Sequence, residues 1–315
     1  LSFLLLYLIS CAPQKTAPLR IAFDVWAGNA PIVIAQEKGY FKANGVDVEL
    51  LFRRDYGDSD KLYLRGEADA SAEVYADTLM HDQDGISSVV VYVLDDSTSA
   101  DSIIALPNYS SLSQLKGKLI GVGGINSFSH LFVLNALELA GVRESQARFL
   151  PVAAMDILSA LENGTIQAGH TWEPITSQAQ AKGYRVLAEA VDYPGLITDV
   201  VVFHKAVVES RPRDIQALVK SLVQAGNYIK NNRDSSIVMV ASFMNITPDE
   251  VAKGFEGMRM ADLDRNKEAF SPGGSLFSLY SSGKMISGFF VSRGQMMAYP
   301  DFTRIVDGRF IKKVV

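Results

Sequence analysis

The sequence has a single cysteine, Cys11, among its 315 residues. A disulfide within the chain, a zinc site built from several thiolates and a catalytic dithiol are therefore excluded. The net charge is −5 and no block of Lys and Arg occurs, which argues against nucleic acid as a partner. The four histidines have none of the close spacings of metal-binding motifs, and no Gly-x-Ser-x-Gly element is present. We therefore expect no metal, no cofactor and no enzymatic activity.

Long apolar runs are also scarce. The first ten residues, LSFLLLYLIS, are apolar but too short to span a bilayer, for which roughly 20 residues are needed. They have the length of a signal-peptide core. The following Cys11, preceded by Ser10, resembles the lipobox of bacterial lipoproteins. We predict that Cys11 is the lipid attachment site, that residues 1–18 are a signal remnant and tether, and that the protein is membrane-anchored in the periplasm or at the cell surface. The alternative is a buried N-terminal strand with an incidental cysteine.

The rest of the sequence has the balance of a globular protein, with 48% hydrophobic and 21% charged residues. Its length suits two domains. Short apolar strands alternate with helical segments, which predicts an α/β fold with mostly parallel sheets flanked by helices. We predict one lobe from residues 19–106 plus 201–315 and a second from residues 107–200. Crossings near Ile103–Pro107 and Ile197–Val201 would form a hinge.

Several short motifs follow one another in a characteristic order along most of the chain. They are Trp26 with Pro31, Ala35-Gln36-Glu37-Lys38-Gly39-Tyr40-Phe41, Gly66-Glu67-Ala68-Asp69-Ala70, Leu115-Lys116-Gly117-Lys118 and Trp172-Glu173-Pro174. This order resembles the type II periplasmic binding proteins, in particular the group that serves nitrate, sulfonates, taurine and thiamine-precursor pyrimidines. The resemblance implies a two-lobed Venus-flytrap fold, a small-molecule ligand in the cleft between the lobes, an ABC permease as partner, and a monomer.

Ligands in such sheets bind beyond the carboxyl ends of the strands. Trp26 and Asn29 follow the first strand, and the indole of Trp26 would form one flat wall of a pocket. The alternative is that Trp26 only caps the core of its own lobe.

The second lobe offers two further segments of this kind. The loop from Gly123 to Ser129 links a strand to a helix, and Asn126, Ser127 and Phe128 are its candidate ligand contacts. Free N–H groups at that helix start would favour an anionic group, although a plain N-cap explains the serines equally well. Trp172 and Glu173 follow another strand, and Glu173 is either a ligand contact or a helix cap.

The charges in these segments are all of one sign. No Lys or Arg falls there, whereas eight carboxylates do: Asp24, Glu73, Asp77, Asp95, Asp96, Asp101, Glu173 and Asp199. We expect Glu73, Asp96 and Asp199 to contact ligand, although rim charges and helix caps are the competing explanation for each. The pattern favours a small amine-bearing or zwitterionic organic solute, taurine-like or aminopyrimidine-like, captured for an ABC importer. The alternatives are a sensory input protein for a membrane receptor and a pyrimidine-biosynthesis enzyme of the same fold.

Overall fold

The computed structural model describes residues 17–314, in which eleven β-strands form two sheets. Cys11 and the apolar run lie outside the described residues, so the lipid anchor stays a prediction. The strands are β1 (Leu19–Phe23), β2 (Val48–Phe52), β3 (Ala70–Val74), β4 (Ser88–Ser97), β5 (Ser102–Ala105), β6 (Leu119–Val122), β7 (Arg148–Pro151), β8 (Ala168–Thr171), β9 (Arg185–Glu189), β10 (Thr198–His204) and β11 (Met258–Met260).

Each lobe is built on one sheet. The first sheet has the order β11-β4-β10-β3-β1-β2 and the second the order β7-β6-β8-β5-β9. β1 pairs in parallel with β2 and β3, and β6 pairs in parallel with β7 and β8. The pairs that involve β10, β11 or β5 are antiparallel. The two-lobed α/β architecture is therefore confirmed, with mixed sheets rather than mostly parallel ones.

Both crossings between the sheets lie earlier in the chain than predicted. Residues 98–101 connect β4 to β5, and residues 190–197 connect β9 to β10. β5, which we expected in the first lobe, pairs with β8 and β9 in the second sheet. Its Ile104 packs in the apolar cluster of that lobe. An apolar run predicts a buried strand but not the sheet in which that strand pairs. Apart from the placement of β5, the predicted boundaries of the two lobes remain a proposal.

Of the fifteen α-helices in the described residues, which flank the sheets, eight follow the return strand β10. They are α1 (Ala30–Glu37), α2 (Tyr40–Ala43), α3 (Tyr56–Leu64), α4 (Tyr75–Gln83), α5 (Phe128–Leu139), α6 (Ile157–Glu162), α7 (Ile175–Ala181), α8 (Lys205–Ser210), α9 (Pro212–Asn231), α10 (Arg233–Met244), α11 (Pro248–Glu256), α12 (Leu263–Ala269), α13 (Leu279–Ser292), α14 (Phe302–Ile305) and α15 (Arg309–Lys312). Within residues 17–314, no helix combines the length and apolar character of a membrane span.

Local sequence explains several of these elements. All ten residues of β4 are buried, as expected for a strand covered on both faces. The N-terminus of α11 has the capping box that its sequence predicts, because the hydroxyl of Thr247 accepts the backbone N–H of Glu250 and Glu250 bonds back to Thr247. Pro248 occupies its first turn, where no N–H is needed.

Candidate ligand-binding cleft

A narrow cleft lies between the two sheets, at the carboxyl ends of β1, β3 and β8. Its lining residues come from both lobes and from the crossings: Asp24, Trp26, Tyr56, Val74, Asp101, Phe128, Trp172, Ile197 and Asp199. The cleft has a volume of about 20 Å³, which holds about one water molecule. A ligand with several non-hydrogen atoms would therefore bind only after the lobes move apart.

Three aromatic rings close one side of this cleft. Tyr56 begins α3 in the first lobe, whereas Phe128 and Trp172 belong to the second. The ring of Tyr56 meets Phe128 edge-on at 5.3 Å and Trp172 at 6.3 Å between centroids. Such edge contacts between aromatic rings add to the stability gained by burial. The rings thus form an apolar contact between the lobes that must separate when the cleft opens.

A hydrogen bond across the lobes lies beside these rings. The backbone N–H of Phe128, at the start of α5, donates to Asp77 Oδ1 at 2.6 Å. The hydroxyl of Tyr56 donates to the other oxygen of Asp77 at 2.8 Å. A helix N-terminus attracts negative charge. In this closed form the position that we expected an anionic ligand group to take is filled by the protein's own carboxylate.

Two carboxyls face each other in the first sheet behind Trp26. Asp95 on β4 and Asp199 on β10 are register partners, so their side chains lie side by side. Burial raises the pKa of Asp95 to about 8. Burial and then the charge of Asp95 raise the pKa of Asp199 well above its ordinary value. The indole N–H of Trp26 donates to Asp95 Oδ2 at 3.2 Å and favours the ionised form of that carboxyl. Both carboxyls therefore favour the protonated form more strongly than an exposed aspartate does.

Asp24 supplies a third carboxyl to the cleft. It is buried, and burial raises its pKa to about 7 despite a hydrogen bond from the side-chain amide of Asn29 at 3.0 Å. Its second oxygen, Oδ2, has no hydrogen-bond partner among the described residues. Asn29 therefore orients Asp24 in this structure, and its contact with the ligand stays a prediction.

Asp101, from the first crossing, is held by a buried histidine. His170 Nε2 lies 3.1 Å from Asp101 Oδ1, and His170 Nδ1 lies 2.9 Å from Ser129 Oγ. The three residue types are those of a hydrolytic triad. Here, however, the carboxylate lines the cleft, while the buried Ser129 Oγ accepts the backbone N–H of Gly123. The arrangement positions Asp101 and offers no exposed nucleophile.

Asp96 and Glu173, two carboxylates that we predict to contact ligand, have protein partners in this closed form. Both oxygens of Asp96 accept from the guanidinium of Arg265, at 2.6 and 2.7 Å, and Thr198 donates to one of them. Glu173 precedes Pro174, the N-cap residue of α7, and accepts the backbone N–H and the hydroxyl of Ser177 in the first turn of that helix. The helix-cap alternative thus describes the closed form.

Glu73 also lies away from the lining of the cleft. It is buried in β3, and its Oε1 accepts the hydroxyl of Thr78 at 2.7 Å. Nδ1 of His81 lies 3.4 Å from the same oxygen. The alternation of side chains along β3 explains the difference, because Val74 lines the cleft and its neighbour Glu73 points to the opposite face.

The loop before α5 borders a second, wider recess of about 580 Å³, which also lies between the lobes. Ser127 is the N-cap of α5, accepting the N–H of His130 and donating to the carbonyl of Gly124 at 2.7 Å. The side-chain oxygen of Asn126 accepts from Gln295 at 2.9 Å. Both predicted residues therefore line the recess, while Trp26, Phe128, Trp172 and Asp199 line the inner cleft.

Sequence reasoning did not predict ligand contact for three residues that line the inner cleft, Tyr56, Val74 and Ile197, and it noted Asp24 and Asp101 only among the acidic side chains. Tyr56 comes soon after the carboxyl end of β2, so the rule that identified Trp26 would also have identified it. Ile197 lies in a crossing and has no such signal. Within the described lining of the inner cleft, no Lys or Arg is present.

The two lobes, the cleft at the strand ends and the contacts that hold the lobes together define a two-lobed solute-binding protein fold. The chain belongs to the NMT1/THI5-like family, whose sequence model matches residues 26–236, more than half of the chain. A binding protein of Brucella abortus is 23% identical over 252 residues, which cover 78% of this chain and 77% of that protein.

Solved structures share the fold over nearly the whole length. The ligand-binding component of an ABC-type import system from Staphylococcus aureus, with zinc bound, superposes with a TM-score of 0.79 at 14% identity, covering 95% of this chain and 99% of that one. The aliphatic sulphonate binding protein SsuA from Escherichia coli gives 0.73 at 18% identity, covering 92% and 98%. The desulfurization enzyme DSZB gives 0.70 at 15% identity, covering 95% and 99%. The fold therefore serves binding proteins and at least one enzyme.

Proposed function

We propose that this protein is the extracytoplasmic solute-binding component of an ABC importer, anchored through Cys11, and that it captures a small organic solute with a cationic or amine-bearing group. The ligand lies in the inner cleft, between the carboxyls of the first lobe and the aromatic rings of the second. Closure of the lobes around it presents the protein to a membrane permease.

One observation carries the choice of ligand class: three carboxyls and four aromatic rings line the inner cleft without any Lys or Arg among its described residues. Carboxylates bind ammonium and amidine groups through charge-assisted hydrogen bonds. Aromatic faces attract cations and provide flat apolar walls for a ring. An amine-bearing ring, such as an aminopyrimidine, would use both features at once.

A bare anion fits this cleft less well. The α5 N-terminus already receives the carboxylate of Asp77, and the nearest free carboxyls would repel a sulfonate. A zwitterion would need its anionic end to displace Asp77 from the N–H of Phe128. The sequence suggests two ligand classes, taurine-like and aminopyrimidine-like. The structure favours the aminopyrimidine-like class, which has an amine but no anionic group.

The proposal is tested by a thermal-shift screen of amines, aminopyrimidines, taurine and amine-free sulfonates, followed by titration calorimetry of each hit. A ligand that binds only the native state raises the melting temperature. We expect an amine-bearing compound as the best ligand, and a loss of affinity of about tenfold or more in Asp24→Asn and Asp199→Asn, which remove charge-assisted bonds. The control is Asp249→Asn, which removes the same charge from the exposed first turn of α11.

Two results would contradict the proposal. An amine-free sulfonate that binds best would refute the ligand class. A best ligand whose affinity is equal in wild type and both cleft variants would refute the site. A separate experiment tests whether the protein binds its ligand without chemically changing it. The bound compound is recovered and its NMR spectrum is compared with that of the starting material. A changed compound would favour the enzyme alternative.

The location is tested independently of the ligand. Cys11→Ser should release the protein from membranes if the cysteine carries the lipid. Unchanged membrane association of this variant would refute the anchor while leaving the binding function standing.

A further inference from the structure

A cluster of three potential metal ligands lies in the first lobe, outside the inner cleft. Asp60 on α3, Glu73 on β3 and His81 on α4 each place one ligand atom so that all three atoms lie within 4.8 Å of one another. His81 Nδ1 is 3.4 Å from Glu73 Oε1, and His81 Nε2 is 3.5 Å from Asp60 Oδ1. Three separate elements thus converge on one point.

Three polar atoms of this cluster have no hydrogen-bond partner among the described residues. Glu73 is 1% exposed, and its Oε2 has no partner among the described residues. The same holds for Asp60 Oδ1 and His81 Nδ1. The contacts of the imidazole with the two carboxylates are close enough for charge attraction but do not have hydrogen-bond geometry. A buried carboxylate oxygen without a partner is costly, and a cation within bonding distance would satisfy it.

The surroundings of the cluster also suit a cation. Thr78 Oγ1 donates to Glu73 Oε1 at 2.7 Å, the kind of outer hydrogen bond that orients a metal-binding carboxylate. Asp77, one turn before His81 on α4, adds negative charge nearby, but its oxygens are taken by Tyr56 and Phe128. Asp60 and His81 line the wide recess, which gives a cation a route from solvent.

We propose that Asp60, Glu73 and His81 bind a divalent transition-metal cation, with Zn²⁺ the best fit. One imidazole nitrogen and two carboxylate oxygens form a mixed N/O set that Zn²⁺ accepts, and solvent in the recess can complete the coordination. Such a cation would connect α3, β3 and α4. It would thereby fix the helices that carry Tyr56 and Asp77, two of the first-lobe residues that contact the second lobe.

Sequence spacing could not reveal this site. The three residues are separated by 13 and 8 positions and lie on different elements, so no short motif encloses them. The competing explanation is a protonated imidazole held between two carboxylates, with no metal. The two explanations differ in whether the purified protein binds a cation at these residues.

The experiment uses the purified chain without a histidine tag, stripped with a chelator and titrated with Zn²⁺ by calorimetry. Co²⁺ replaces Zn²⁺ in a parallel titration, because its visible spectrum reports N/O coordination. The ligand variants are Asp60→Asn, Glu73→Gln and His81→Gln, and Thr78→Val removes the outer hydrogen bond. The matched control is Asp58→Asn on the same helix, whose side chain is 57% exposed and paired with Lys61.

We expect one Zn²⁺ per chain, a visible Co²⁺ band, and a rise in melting temperature on metal addition. Each of the three ligand variants should bind Zn²⁺ at least about tenfold more weakly than wild type, and Thr78→Val about tenfold more weakly. The affinity of Asp58→Asn for Zn²⁺ should equal that of wild type. Asp60 is partly exposed, so Asp60→Asn tests the site even if the more buried variants fail to fold. Absence of Zn²⁺ binding by the wild-type chain, or equal affinity in wild type and Asp60→Asn, would overturn the proposal.

Discussion

The charge of Asp24 should make the stability of this protein depend on pH. Its pKa rises from the ordinary value of 3.8 to about 7, mainly because of burial; the backbone and Asn29 oppose the shift, and the charges of Asp55 and Asp101 add to it. Between these two pH values the unfolded chain has released this proton but the folded chain still holds it. The free energy of unfolding therefore falls as pH rises from about 4 to 7.

The size of the effect follows from the shift. At about 1.4 kcal/mol per pH unit, ionising this carboxyl in the folded state costs up to about 4 kcal/mol. Asp24→Asn keeps the shape of the side chain and cannot ionise. Its amide oxygen can still accept from Asn29, but its NH₂ group takes the place of an oxygen that has no partner, which costs about 1 kcal/mol. We therefore expect the variant to be about 2–3 kcal/mol more stable than wild type at pH 8.

The assay is urea unfolding of both proteins at several values between pH 4 and pH 8, followed by circular dichroism. The difference in the free energy of unfolding between variant and wild type should grow with pH, by up to about 4 kcal/mol. Asp249→Asn, which removes an exposed carboxyl, is the control variant measured in parallel. Parallel pH profiles for Asp24→Asn and wild type would refute the reasoning, because they would mean that Asp24 ionises as easily in the folded state as in the unfolded one.

Two further substitutions test the packing behind the cleft. Arg265→Met should destabilise the protein by about 3–5 kcal/mol in urea unfolding, because Asp96 is left as an unpaired buried charge. Adding Asp96→Asn to this variant should restore part of the lost stability. An Arg265→Met protein as stable as wild type would contradict the prediction. Gly28→Ala should cost about 1–3 kcal/mol, because a β-carbon there overlaps both Trp26 Nε1 and Asp95 Oδ2. A red-shifted tryptophan emission should accompany it, and an unchanged spectrum with unchanged stability would show that the close approach is not required.

The sequence predicted the fold well because the signals for it are local. Alternating apolar strands and helices, capping residues such as Thr247, and the return strand at residues 198–204 can all be recognised within short windows. The crossings were misplaced because the pairing of β5 depends on strands far along the chain. An apolar tetrapeptide is equally compatible with either sheet.

The candidate site was predicted less completely, for the same reason. Trp26 and Phe128 were identified because they follow strand ends, where the cleft of such a fold must lie. The partner of Asp96 could not be identified, because Arg265 lies 169 positions away. The carboxylate that occupies the start of α5 comes from Asp77, which is 51 positions from Phe128. Adjacent carboxylates look alike in a sequence, and only tertiary contacts separate those with partners from those without.

The acidic cleft opposes the stability of the closed protein while favouring its ligand. Asp24, Asp95 and Asp199 are buried with raised pKa values, so the closed form without ligand must either hold extra protons or bear unpaired charge. A cationic group placed among them would remove that penalty only when the lobes are closed around it. A ligand shifts a conformational equilibrium by its difference in affinity for the two states. The burial that penalises the charged carboxyls in the closed form would therefore couple closure to capture.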